Sequence, residues 1–99
     1  MQPTGFNLAN DRAMAFSSTS DVNGSKDLSL SRASAGVLQV GDGGANANGI
    51  VSAAGYRMAL TTPASATATG TTGTIVWDAD YVYVCTATNT WKRAAIATW

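Results

Sequence analysis

The chain has 99 residues, no net charge and 12% charged residues, with six Asp, no Glu and no His. It makes one domain at most and buries roughly 60–68% of the surface its unfolded form exposes, so the margin of a lone monomer is thin. The lack of clustered Lys and Arg excludes a nucleic-acid partner. Without His or Glu, nucleophiles and metals lack their usual bases and ligands, so no enzyme, cofactor or metal site is expected.

Ser, Thr, Ala, Asn and Gly dominate the polar positions, which disfavours long helices and suits strands, turns and flat polar faces. The expected class is all-β. The single cysteine, Cys85, has no internal disulfide partner and is expected as a small strand residue. The start MQPTGF has no positive region and no apolar run of signal-peptide type. No later stretch approaches the ~20 apolar residues of a membrane helix, so no membrane insertion is expected.

Residues 1–26 mix Asn, Ser, Asp and Gly with scattered Phe6, Leu8, Met14 and Phe16, and show no sustained period. This stretch reads as an irregular docking arm, with a short helix over residues 8–16 capped by Asn10 or Asp11. Asn23-Gly24 marks a turn, since both residues tolerate positive φ.

Residues 27–61 read as β-shaft-like hairpins. Leu28 and Leu30 alternate with Ser29 and Ser31, and VLQV repeats the idea after a small-residue turn at residues 33–36. The run GDGGANANG, residues 41–49, breaks the pattern and offers a metal only Asp42, so it reads as an ordinary loop. Tyr56, Met58 and Leu60, spaced by two, predict a further strand.

Residues 62–99 read as a C-terminal β tip. A Thr/Ala/Ser/Gly connector, residues 61–74, leads to strands over residues 74–77, 81–86 and 91–97, with turns at residues 78–80 and 87–90. Tyr81, Tyr83 and Cys85 share one face of the second strand, and Val82, Val84 and Thr86 the other. Neither face is polar. A three-stranded meander cannot cover both, so a cover from elsewhere in the chain or from another chain is expected.

The segments PASATATGTTGTIVWD and DYVYVCTATNTWKRAAIATW resemble the C-terminal module of bacteriophage tail fibres, tailspikes and other virion proteins. LSLSRASAGVLQVGDG, residues 28–43, is similar to rungs of phage fibre shafts. The resemblance implies a homotrimer, a short interwoven trimeric β-fibre with a small β-meander tip, made in the host cytoplasm and placed on the virion surface. Its expected partners are two further copies, other virion proteins through the N-terminal arm, and bacterial surface glycan.

Trp77, Tyr83, Trp91 and Trp99 are the expected core of the tip, because aromatics supply most of the area so small a module can bury. Trp91, Tyr81, Arg93 and Asp80 are candidate glycan or receptor contacts, since flat rings stack on pyranose faces. Asp78 and Asp80 are the one close carboxylate pair and read as turn residues. The function this assembles is a virion fibre or spike exposed for host adhesion. A capsid cement protein is the first alternative, and a polysaccharide-degrading tailspike acting through Asp78 and Asp80 a distant one.

Overall fold

The computed structural model describes residue 5, residues 7–43 and residues 48–99. The protein is all-β, with two three-stranded antiparallel sheets among the described residues. Among the described residues no helix is long and apolar enough to cross a membrane. The chain divides into two compact units, Met1–Ala53 and Ala54–Trp99.

The first unit holds β1 (Ala13–Ser17), β2 (Lys26–Ser34) and β3 (Val37–Gly41) in that order. The expected helix over residues 8–16 does not form. Met14 pairs with Leu30 and Phe16 with Leu28, so the alternation of Met and Phe with Ala completes a sheet face, and the arm is not irregular throughout. The β1–β2 loop is held by Asp21, whose carboxylate accepts the Asn23 amide at 2.9 Å and whose carbonyl accepts the Gly24 amide at 2.9 Å. Asn23 and Gly24 are not in the left-handed region, contrary to expectation. Glycine is needed at 24 for space, since a Cβ would lie 2.5 Å from Thr19 Oγ1 and 2.7 Å from Ser17 Oγ. Lys26 Nζ closes the loop by donating to the carbonyls of Val22 and Gly24, each at 2.6 Å.

The predicted hairpin forms, with Ser34 paired to Val37 and Gly36 at φ +73° in the connection. Its register sorts the side chains. Met14, Phe16, Leu28, Leu30, Leu38 and Val40 share one face, and Ala13, Ala15, Ser29, Ser31, Gln39 and Gly41 the other. The small-residue face contains the buried Ser29 and Gly41, while the apolar face stays open, with Phe16 52% and Leu38 70% exposed. The Gly49 amide returns to the Val40 carbonyl at 2.8 Å. Phe6 and the middle of the glycine-rich run, residues 44–47, lie outside the described residues.

The second unit holds β4 (Ile75–Trp77), β5 (Tyr81–Ala87) and β6 (Thr90–Ala95). The meander is the one the sequence predicts. The strand expected over residues 56–60 does not form; the segment is instead held to Trp77 of β4 by isolated bonds, the indole N–H donating to the Met58 carbonyl at 2.9 Å and the Thr61 amide to the Trp77 carbonyl at 2.9 Å. Thr88 and Asn89 make the tight β5–β6 connection, with Asn89 at φ 52°. The connector folds back onto the sheet instead of running free. The Trp91 amide donates to the Ala66 carbonyl at 2.8 Å, and Asn89 and Gly70 exchange two 3.0 Å hydrogen bonds.

One face of this sheet carries Val76, Tyr81, Tyr83, Cys85, Trp91, Arg93 and Ala95; the other carries Ile75, Trp77, Val82, Val84, Lys92 and Ala94. The core sits on the first, where Tyr83 is 6% and Cys85 1% exposed. Of the four expected core aromatics, Tyr83 is buried and Trp77 and Trp91 are half-buried. Trp99 is fully exposed in the single chain, because β6 ends at Ala95 and the last residues leave the ladder.

Candidate functional site

The turn between β4 and β5 organises the covered face. Asp78 Oδ1 accepts the backbone amides of Asp80 and Tyr81, each at 2.9 Å, in the local bonding that favours Asp in turns. Its other oxygen, Oδ2, accepts the Tyr83 hydroxyl at 2.6 Å and the Thr62 hydroxyl at 2.9 Å. Four donors converge on one carboxylate. The Tyr83 bond foremost, followed by the Asp80 amide, lowers the Asp78 carboxyl to about 2. The same bond raises the Tyr83 phenol above its ordinary value. Asp78 thereby ties the connector, through Thr62, to the middle of β5.

Beside this anchor lies a groove of about 520 Å³ between residues 62–66 of the connector and Tyr83, Trp91, Lys92 and Arg93 of the sheet. The Trp91 ring is fixed there. Its indole N–H donates to the Ala68 carbonyl at 3.0 Å, and Gly70 lies so close that a Cβ would sit 2.6 Å from Cζ2. Arg93 places its guanidinium 4.0 Å from the Tyr81 ring centroid, in cation–π geometry. Lys92 borders the groove but pairs with Val84, so its side chain leaves from the opposite face.

The structure brings Trp91 and Arg93 together in this groove, with Tyr81 beneath the guanidinium. Asp80 is elsewhere: it borders a separate hollow with Ile96 and Thr98, and its carbonyl accepts the Ile96 amide at 2.9 Å. The sequence reading missed the connector wall, Thr62 through Ala66, and the second role of Asp78. Composition gives no signal for either, because backbone carbonyls of alanines do much of the holding. Pro63 beside a Thr is the one local hint.

The opposite face is open. Ile75, Trp77, Val82 and Ile96 line an apolar hollow with Tyr56 and Met58, and the Trp77 indole N–H donates to the Met58 carbonyl at 2.9 Å. Ile75 and Ile96 are each about half exposed.

Two curated proteins are similar to part of this chain. A depolymerase of Klebsiella phage K64-1, specific for capsule K30/K69, is 50% identical over 40 residues, which are 40% of this chain and 5% of the relative. Depolymerase 1 of Klebsiella phage K5-2, of the same capsule specificity, is 53% identical over 36 residues, which are 36% of this chain and 4% of the relative. The matched stretch is similar to a small part of two phage proteins, and the chain spans about a twentieth of their length. No family model and no solved structure matches the chain.

These matches support the resemblance drawn from the sequence at that coarser level. They also correct one reading. The lack of His and Glu predicts no enzyme, yet both matched proteins are depolymerases, and this points against that expectation.

Proposed function

We propose that the chain is a structural module of a phage tail-associated protein that acts on bacterial capsular polysaccharide at the virion surface, and that it works as a trimer. The observation that carries the first part is the 50% identity to a phage capsule depolymerase. The chain matches only about a twentieth of that protein's length; in this reading the module holds copies together and meets the glycan beside other parts of the assembly.

The trimer rests on the two open apolar faces, one in each unit. Phe16, Leu28 and Leu38 on the first sheet and Ile75 and Ile96 by the second are exposed, whereas Tyr83 and Cys85 are the buried hydrophobic residues among those described. Exposed sheet faces of this kind gain free energy by covering one another. Three weak glycan contacts held together bind through effective concentration, beyond the strength of any one.

The test is to pass the purified chain over immobilised capsules of a Klebsiella panel that includes types K30 and K69, reading retention and the release of reducing ends. Retention on at least one capsule, with none on the capsule-free support, is the expected result. Neither retention nor release on any capsule would overturn the reading.

A further inference from the structure

We propose that the groove between Trp91, Arg93 and the connector is a subsite for a carboxylated sugar, with the Arg93 guanidinium holding the carboxylate. This deepens the capsule reading and rests on it for the origin of the ligand. Among the described residues no carboxylate comes within ion-pair distance of Arg93, the sole such pair being Arg12 with Asp11. Its guanidinium lies over the Tyr81 ring, and across the ladder it pairs with Tyr83. Asp78, the one carboxylate bonded to the Tyr83 hydroxyl, has all four of its donors supplied from elsewhere.

A guanidinium held 4.0 Å over an aromatic ring still has N–H groups that the ring does not satisfy, and their fork matches a carboxylate. The remaining walls suit a sugar ring. Trp91 offers an apolar surface locked by the Ala68 hydrogen bond and by Gly70, and Pro63 offers a second one from the connector. Ser65 adds a hydroxyl at the rim. A volume of about 520 Å³ lies within the roughly 300–1,000 Å³ of small-ligand sites. The positive charge and the absence of a free acid in the walls favour an anionic residue over a neutral one.

The experiment titrates the full chain with trigalacturonate, with its methyl ester and with maltotriose, following amide shifts by NMR. Trigalacturonate should shift the Trp91 and Arg93 signals and bind at least about tenfold more tightly than its ester, the range of a charge-assisted hydrogen bond. Arg93→Gln should erase that difference. Arg12→Gln, which removes the same charge from the first unit, should keep it. Equal binding of acid and ester, an unchanged preference in Arg93→Gln, or no shift at Trp91 would overturn the subsite. If capsules are retained while Arg93→Gln binds acidic and neutral capsules as wild type does, the subsite fails and the capsule reading survives. If trigalacturonate binds through Arg93 but no capsule is retained, the capsule reading fails and the subsite stands.

Discussion

The Tyr83 hydroxyl and the Asp78 carboxylate are joined by a 2.6 Å hydrogen bond that ties the centre of β5 to the turn preceding it. Because the same carboxylate oxygen accepts the Thr62 hydroxyl, the bond also fixes the start of the connector that roofs the groove. The folded-state carboxyl lies at about 2, below the ordinary 3.8. A carboxyl depressed by folding adds stability that is fully present above its unfolded value and is lost as pH falls through the folded one. Thermal melts should therefore show a drop in Tm between pH 4 and pH 2. In Tyr83→Phe the largest cause of the depression is gone, so the drop over that interval should shrink. An identical drop in both proteins would show that the bond does not set this acid sensitivity.

Gly70 is required by the Trp91 ring. A Cβ there would lie 2.6–2.8 Å from three atoms of the indole, closer than any ordinary contact. Gly70→Ala must push the ring outward or shift the connector, at a cost of about 1–3 kcal/mol, as for other overpacked sites. Gly55→Ala meets nothing within 4 Å and should melt within a degree or two of wild type. Chemical denaturation of both variants checks the contrast.

Trp91 and Trp99 should behave differently although the sequence groups them together. Trp91 is half-buried, with its indole N–H bonded to Ala68, and Trp91→Ala should cost about 1.5–3 kcal/mol, less than the roughly 3–5 of a fully buried ring. Trp99 is fully exposed, and Trp99→Ala should stay within about 0.5 kcal/mol of wild type. Urea midpoints decide it; a large loss in Trp99→Ala would place that ring in an interface between copies.

Much of the β structure was legible because alternation and turn chemistry agreed. Leu28, Ser29, Leu30 and Ser31 announce β2, and the turns at Asp78 and Asn89 bracket β5. β1 was hidden because Ala13 and Ala15 carry helix propensity, and only pairing with Leu28 and Leu30, far along the chain, makes Met14 and Phe16 a strand. The opposite error fell on Tyr56, Met58 and Leu60, which alternate as a strand does but are tied to β4 by isolated bonds and not by a ladder. In the groove, Trp91 and Arg93 stood out as an aromatic and a cation near each other in sequence. The wall facing them did not, because Ala66 and Ala68 contribute carbonyl oxygens, which every residue has.

The central claim, that this module is completed by other copies of itself, is tested most directly by sedimentation equilibrium of the purified chain at micromolar concentration. The open faces around Leu38 and Ile75 predict a species of three times the 10.1 kDa chain mass, which Leu38→Lys together with Ile75→Lys dissociates. A stable, folded species at the mass of one chain would contradict it.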